Sequence, residues 1–257
     1  MNAHFVAGLA VEAGTILERR PGARVVRVKW GTDIVTEADE ASERFLRQEI
    51  LRHYPDHRIV GEEFGSSEAE AAWEWFLDPL DGTVNFSRGN SYFAVSIALA
   101  HHGVAQVGAV YRPLTGELFL AERGRGATLN GEPLRVSDAG QVGEGIFILD
   151  WGRQTSRRDT FGVLGAIFYA ANKIRSFGSA ALDLCSVAAG QLEGFIHPGL
   201  APWDFAAGQL ILEEAGGTVT ALEGGPRTIE AGSVAATNGH VHAEVLGLLR
   251  PGAAPSR

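Results

Sequence analysis

The stretch WFLDPLDGT, residues 75–83, brings two carboxylates to the end of an apolar run. Asp78 and Asp81 stand three positions apart, and Pro79 between them fixes its own φ, so the pattern predicts that the strand breaks and turns there. Both carboxylates and the Leu80 carbonyl can then face one point, and such hard oxygens suit Mg²⁺ better than a transition metal. Asp-Pro and Asp-Gly also occur in ordinary surface turns, but the apolar run favours a buried strand end.

The residues that follow Asp81 suit a phosphate group. Thr83-Val84-Asn85-Phe86 is predicted to form one helical turn, with Gly82 directly before it. Backbone N–H groups at the start of a helix bind phosphate oxygens, so Gly82 and Thr83 are candidates for that contact.

Two further acids stand at the ends of predicted elements. Glu62 follows a predicted strand, and Asp204 begins a predicted helix. Taken singly, Glu62 fits a solvated loop and Asp204 fits an N-cap, a position that Asp fills well. If both met Asp78 and Asp81 at one place, the carboxylates would repel each other unless cations lay between them. The conjunction predicts a site for two or three Mg²⁺ ions, of the kind that clamps the oxygens of an in-line phosphoryl displacement.

Composition limits the classes of partner. The 257 residues carry a formal net charge of −9, which argues against non-specific binding to nucleic acid or to an anionic membrane. Cys185 is the single cysteine, so no disulfide framework and no thiolate zinc cage can form, and we expect a reducing, cytoplasmic location. No apolar run approaches the roughly 20 residues of a membrane helix.

The order of predicted elements indicates an α+β protein with two lobes in one compact unit. Two helical patterns precede a series of hairpins, of which Asn130-Gly131 gives the strongest turn signal. Beyond residue 145 helices and strands alternate. We therefore expect an N-terminal α+β lobe at residues 1–140, with most of the metal ligands, and a C-terminal α/β lobe at residues 141–257.

Several motifs in this order also point to a family. They are GEE (61–63), DPLDGT (78–83) with Asn85-Phe86, WDFAAG (203–208), GRGA (124–127) leading to Asn130-Gly131, and GSAAL (178–182). In these motifs the sequence resembles the inositol monophosphatase family of magnesium-dependent, lithium-sensitive phosphatases. The resemblance implies a layered αβαβα sandwich of the sugar phosphatase type, and a homodimer as the default assembly.

The resemblance assigns metal binding and catalysis to matching positions. The implied ligands of the Mg²⁺ ions are Glu62, Asp78, the Leu80 carbonyl, Asp81 and Asp204. Coordination would lower the pKa of a water molecule, which then attacks the phosphate near neutral pH. Thr83 and Asp39 would orient that water, and Glu62 counts among the catalytic residues as well as the ligands.

The resemblance also indicates where the substrate is held. Gly82 and Thr83 would bind the phosphate through backbone groups. Gly178, Ser179 and Ala180, at the predicted start of a helix, match the substrate-facing segment of the family.

One position departs from the family pattern. Members that prefer inositol phosphate carry a glutamate seven residues before the aspartate of the Trp-Asp motif, and here that residue is His197. A carboxylate can accept hydrogen bonds from two hydroxyl groups, whereas neutral imidazole has one acceptor. This puts inositol monophosphate in doubt as the substrate, and makes His197 a candidate substrate contact, while the metal motifs are intact.

The sequence leaves the substrate open. The expected partner is a small phosphorylated metabolite: inositol phosphate, a sugar phosphate or bisphosphate, a nucleotide 3′-phosphate, NADP or histidinol phosphate. A glycosidase needs two carboxyl groups and no metal, so four converging acids argue against one. A regulatory protein that keeps the fold is the non-enzymatic alternative. Such drift usually deletes a metal ligand or the Thr83 equivalent, and none is deleted here.

Overall fold

The computed structural model describes residues 3–30, 33–68, 71–150 and 157–250. The helices are Ala3–Glu18 (α1), Glu37–His53 (α2), Thr83–Ser87 (α3), Arg157–Ala170 (α4), Ala180–Ala188 (α5), Pro202–Glu214 (α6) and His242–Leu248 (α7). The strands are Val25–Trp30 (β1), Asp33–Thr36 (β2), Arg58–Gly61 (β3), Gly65–Ser66 (β4), Trp73–Asp81 (β5), Ala94–His101 (β6), Val104–Arg112 (β7), Glu117–Glu122 (β8), Ala127–Leu129 (β9), Glu132–Pro133 (β10), Ile146–Leu149 (β11), Lys173–Arg175 (β12), Gly194–Leu200 (β13), Thr218–Thr220 (β14) and Gly232–Thr237 (β15).

Two larger sheets carry the fold, and β1 and β2 pair in a separate two-stranded antiparallel sheet. The first sheet has the strand order β10-β9-β8-β7-β6-β5-β3-β4, and the second has the order β12-β11-β13-β15-β14. In the first sheet the pair β3–β5 is parallel and the other neighbours are antiparallel. Glu62, which follows β3, is therefore placed at the same sheet edge as the end of β5.

The second sheet is mixed, which differs from a purely alternating α/β pattern. Strand β11 runs parallel to β12 and β13, but β15 runs antiparallel to β13 and β14. The reason is local, because no helix separates β14 from β15 and a parallel return needs a crossover.

Sheets and helices stack in five layers, which confirms the predicted αβαβα sandwich. Helices α1 and α2 cover the outer face of the first sheet, α5 and α6 lie between the sheets, and α4 and α7 cover the outer face of the second. Side chains of a strand point alternately to opposite faces, so Trp75 and Leu77 pack towards α1 and Phe76 towards α6. Phe195 and Ile196 on β13 divide in the same way.

The GRGA motif joins the first sheet to α6. Gly124 and Gly126 both have positive φ, and their N–H groups donate to the two carboxylate oxygens of Glu214, each at 2.8 Å. This turn is therefore bonded to the C-terminal end of α6.

The division into lobes at residue 140 stays a prediction. The first sheet ends at β10 and the second begins at β11, but α5 and α6 pack between the two sheets. Within the described residues, none of the helices combines the length and the apolar character that crossing a membrane requires.

The middle layer approaches the first sheet closely because small residues meet there. A Cβ at Gly108 of β7 would lie 2.8 Å from the Ala207 carbonyl oxygen and 3.0 Å from its Cα, both backbone atoms of α6. Neither neighbour can turn aside as a flexible side chain would. Gly108 is thus required for the distance between layers.

We expect Gly108→Ala to lower the free energy of unfolding by about 1–3 kcal/mol, the usual cost of overpacking. Gly8→Ala on α1 is the matched control, because a Cβ there meets nothing within 4 Å and Ala favours a helix by up to about 1 kcal/mol over Gly. Urea unfolding followed by circular dichroism measures both. Equal stability of the two variants would contradict the close-packing argument.

Candidate metal and phosphate site

The end of β5 brings Asp78 and Asp81 to the site. The strand does not break at Asp78-Pro79 as the sequence pattern predicts, but continues to Asp81 with a shift of register against β6 between the two acids. The Leu80 N–H donates to Asp78 Oδ1 at 3.0 Å, and Ser42 Oγ donates to the Pro79 carbonyl at 3.1 Å. An irregular register is a place where a strand tolerates proline.

Glu62 reaches the same point from the neighbouring strand. Gly61 pairs with Leu77 in the parallel ladder, and the Glu62 N–H donates to the Leu77 carbonyl at 3.2 Å. Glu62 therefore leaves the sheet directly beside Asp78.

Asp204 arrives from the middle layer, in the first turn of α6. One of its oxygens, Oδ2, accepts the Ala201 N–H at 2.8 Å, but Ala201 is the N-cap and Asp204 is the third residue of the helix, so the reading of Asp204 itself as the N-cap is wrong. Asp204 also lies with Glu62 and Asp78, and one ligand atom from each of the three carboxylates falls within 4.8 Å of the others. The hydrogen bond to Ala201 and the clustering are compatible because a carboxylate has two oxygens.

The cluster is electrostatically strained without a cation. Burial raises the pKa of Asp78 well above its usual range, and the charges of Glu62, Asp81 and Asp204 raise it further. Oxygen donors that are buried, close together and mutually repulsive fit a hard divalent cation. The three residues could thus bind a metal ion.

Asp81 lies at the start of α5 as well as beside this cluster. Its Oδ2 accepts Ser179 Oγ at 2.6 Å and the Ala181 N–H at 2.7 Å. A carboxylate is favoured at a helix N-terminus by the helix dipole. Asp81 lies at the end of a strand of the first sheet and is bonded to the N-terminal end of α5. Because α5 also packs against β13, Asp81 links the first sheet to the helix beside the second.

Thr83 and Asp39 are hydrogen-bonded to each other, the pairing that the resemblance implies. Thr83 Oγ1 lies 3.1 Å from Asp39 Oδ1 and 3.0 Å from the Leu80 carbonyl oxygen, and its single proton can go to one of them at a time. Asp39 Oδ2 accepts the N–H and hydroxyl of Thr36 at 2.9 and 2.5 Å, which closes a capping box on α2. Burial raises the pKa of Asp39 to about 6, although the hydrogen bonds from Thr36 and Thr83 act against that rise.

Gly82 has a backbone conformation and a space that exclude a side chain. Its φ is +92°, and a Cβ would lie 2.9 Å from the Tyr92 carbonyl oxygen. Gly82 precedes α3, so the predicted helical turn after it is present. Its contact with phosphate stays a prediction.

Two basic residues, Lys29 and Arg27, form ion pairs with Glu62 and Glu63, and the sequence analysis did not identify them. Lys29 Nζ lies 2.9 Å from Glu62 Oε1 and 2.7 Å from Glu63 Oε1, and an Arg27 nitrogen lies 3.0 Å from Glu63 Oε2. Burial lowers the pKa of Lys29, but the two glutamates outweigh this and leave it raised, while burial raises the pKa of Glu63 to about 7. The alternation Arg27-Val28-Lys29 in a strand places both cations on one face, a signal that the sequence contains.

Asn85 joins the GSAAL segment to the turn that begins at Gly82. Asn85 Nδ2 donates to the Phe177 carbonyl at 2.7 Å and to the Tyr92 carbonyl at 2.8 Å. Gly178 is exposed, whereas the Ser179 side chain is buried and bonded to Asp81. The hydroxyl of Ser179 is therefore already used, and substrate contact by Gly178, Ser179 and Ala180 stays a prediction.

His197 lies on β13 with its ring centroid 5.9 Å from that of Phe195. The side chain is buried, and Nδ1 accepts the Gly199 N–H at 3.1 Å. In the neutral ring the proton then lies on Nε2, which can donate but not accept. His197 is thus hydrogen-bonded to backbone near the end of its strand, and its contact with substrate stays a prediction.

Comparison with known proteins decides the family. The model of the inositol monophosphatase family matches residues 3–251. The chain belongs to the inositol monophosphatase family. Members of this metal-dependent phosphatase family act on small phosphate substrates, which agrees with the carboxylate cluster described above.

Individual relatives cover nearly the whole chain. Nus factor SuhB of Escherichia coli K12 is 39% identical over 247 residues, which are 94% of this chain and 92% of that protein. The inositol monophosphatase of Anabaena sp. PCC 7120 is 36% identical, with a TM-score of 0.85 and coverage of 95% and 94%. Structures of SaIMPase-II with inositol monophosphate and with 2′AMP each have a TM-score of 0.82, at 31% and 32% identity, and this chain covers 91% and 92% of them over 95% of its own length.

We expect Asp78→Asn to raise the melting temperature measured in EDTA by a few degrees, because it removes one charge from a repulsive buried cluster. For a chain of this size, 1 kcal/mol corresponds to about 2–4 °C. The same change should abolish the rise in melting temperature that a bound divalent cation produces in the wild type.

Scanning calorimetry with EDTA and with Mg²⁺ measures both effects. Asp56→Asn, at an exposed acid, is the control and should change neither. A lower melting temperature of Asp78→Asn in EDTA would contradict the repulsion argument.

Proposed function

We propose that this protein is a Mg²⁺-dependent phosphatase that hydrolyses a small phosphomonoester. The observation that carries the proposal is the group Glu62, Asp78 and Asp204, whose ligand atoms lie within 4.8 Å of one another. With the Leu80 carbonyl and Asp81, this group would hold two or three Mg²⁺ ions, since hard oxygens are the ligands this ion takes. Bound ions of this kind lower the pKa of water and neutralise charge on a reacting phosphate.

The protein's own groups would orient the reactants. When the Thr83 hydroxyl donates its hydrogen bond to Asp39 or to the Leu80 carbonyl, the lone pairs of Thr83 Oγ1 are free to accept a hydrogen bond from an attacking water. Gly82 and Thr83 would hold the phosphate through backbone groups at the start of α3. Positioning of a nucleophile and an acceptor in this way contributes to rate by reducing the entropy lost on reaction.

His197 bears on the substrate. With Nδ1 engaged by Gly199, the neutral ring has no acceptor left for a substrate hydroxyl, where a glutamate would present two oxygens. The loss of two acceptors weakens the case for a substrate that donates from two vicinal hydroxyls at this position, but it selects no other substrate, because hydroxyls and ring oxygens can all accept hydrogen bonds. SaIMPase-II binds inositol monophosphate and 2′AMP, which supports a choice that includes nucleotide phosphates. A sugar bisphosphate, NADP and histidinol phosphate are the other candidate substrates, and the same assay tests them.

The remaining features follow the family. We propose a cytoplasmic homodimer that is inhibited by Li⁺ and binds neither membrane nor, directly, nucleic acid, since the net charge is −9. A second role is favoured by one observation, the 39% identity to Nus factor SuhB. A Nus factor function of this chain would be compatible with phosphatase activity, because the candidate metal ligands and Thr83 are all present.

The test is phosphate release from inositol 1-phosphate, fructose 1,6-bisphosphate, 3′-phosphoadenosine 5′-phosphate, 2′AMP, NADP and histidinol phosphate. Each is measured with Mg²⁺, with EDTA, and with added Li⁺. We expect Mg²⁺-dependent turnover, lost by about 10²-fold in Thr83→Val and largely kept in Thr83→Ser, which retains the hydroxyl. Turnover that survives EDTA would rule out the proposed mechanism.

We expect His197→Glu to raise kcat/KM for inositol 1-phosphate relative to the best nucleotide substrate by about 10- to 100-fold, the effect of hydrogen bonds to a charged group worth about 1.5–3 kcal/mol. His197→Gln is the neutral control and should shift the ratio less. An unchanged ratio in His197→Glu, with an unchanged Mg²⁺ requirement, would remove His197 from the substrate site and leave the phosphatase proposal intact.

A further inference from the structure

Glu43 is a buried acid that no sequence motif singles out. It lies on α2 four residues after Asp39, and its side chain is fully buried. Positions four apart share one face of a helix. Helix α2 therefore directs two carboxylates towards the site, Asp39 to Thr83 and Glu43 to the loop that follows β3.

The Glu43 carboxylate is bonded to the backbone of that loop. Oε2 accepts the Glu63 N–H at 2.7 Å, and Oε1 accepts the Phe64 N–H at 3.2 Å. Arg47, one turn further along α2, donates to Oε1 from Nε at 2.8 Å and also donates to the Gly65 carbonyl. Charge-assisted bonds of this type are stronger than neutral ones, so residues 63–65 are held at three points.

Gly61 provides the space for this arrangement. A Cβ at Gly61 would overlap Glu43 Oε1. The φ of Gly61 is not in the left-handed region, so the backbone conformation does not require glycine there. The small residue is explained by the carboxylate that lies against it.

These contacts fix Glu62 from both sides. Its own N–H donates to the Leu77 carbonyl, and the next N–H along the chain donates to Glu43. With both peptide groups held, the backbone at Glu62 is fixed, and its carboxylate, which also pairs with Lys29, has a ligand atom within 4.8 Å of those of Asp78 and Asp204.

We propose that Glu43 is a positioning residue for the metal site, which holds Glu62 in reach of Asp78 and Asp204 through the backbone of residues 62–64. The inference rests on the proposed function, because it gives Glu62 the role of a metal ligand. Residues that orient ligands in this way typically change metal affinity by about 10- to 100-fold when they are replaced.

The experiment measures Mg²⁺ binding by isothermal titration calorimetry on the full chain, together with the melting temperature in EDTA. We expect Glu43→Gln to weaken Mg²⁺ binding at least 10-fold, because the amide offers one acceptor where two N–H groups need one each. Glu40→Gln is the matched control, since Glu40 lies on the same helix and pairs with Arg44, also four residues later, but in a more exposed position. It should leave Mg²⁺ affinity unchanged.

A double-mutant cycle separates positioning from general destabilisation. In a Glu62→Gln background, Glu43→Gln should have little further effect on Mg²⁺ affinity, because the ligand it positions is gone. Equal loss of affinity in both backgrounds would overturn the proposal, and so would Glu43→Gln protein that binds Mg²⁺ as the wild type does.

Gly61→Ala is the second variant, for the case that Glu43→Gln does not fold. It keeps the Glu43 carboxylate but displaces it with a methyl group, and we expect weaker Mg²⁺ binding in the same direction. Wild-type affinity in Gly61→Ala would overturn the role of Glu43. A wild-type protein that binds no Mg²⁺ would overturn the proposed function and this inference together, so the two failures are distinguishable.

Discussion

Repulsion among buried carboxylates is the constraint on which the candidate site depends. Asp78 carries a raised pKa because it is buried among other acids, and such a cluster is stable only if each member is held by other contacts. Each is held differently. Asp204 accepts the N–H of the N-cap residue of its own helix, Asp81 is bonded to the start of α5, and Glu62 extends from a backbone that is bonded on both sides. The fold supplies hydrogen bonds at these positions that keep charges together against their mutual repulsion.

These hydrogen bonds come from different layers of the sandwich. The first sheet delivers Glu62, Asp78 and Asp81, while α6 in the middle layer delivers Asp204. The distance between these layers is set by Gly108 against the backbone of Ala207. The small residues of the WDFAAG motif therefore let α6 approach the first sheet closely, and this close approach brings Asp204 to the other acids.

Residues whose role is local could be identified from the sequence. The clustering of Glu62, Asp78 and Asp204 is expected because each acid stands in a short motif at the end of a predicted element, whereas the layered fold and the pairing of Thr83 with Asp39 follow from the resemblance to a family. Contacts made by residues outside these motifs could not be predicted. Glu43 reads as one more charged residue of an amphipathic helix, and Lys29 as a surface cation, until tertiary structure places them at the site. The passage of β5 through Pro79 was also missed, because it depends on the register against β6 rather than on the preference of proline.

Asp81 has a consequence for how loss-of-activity variants are read. One of its oxygens holds the N-terminus of α5 through Ser179 and Ala181, so the residue is a structural joint as well as a candidate ligand. Replacing it changes two properties at once, and a phenotype of such a variant in cells could arise from altered assembly or abundance as easily as from lost chemistry. In a family that includes a Nus factor, enzymatic and regulatory roles are better separated at Thr83, whose hydroxyl is bonded to Asp39 and Leu80 and does not join the two sheets.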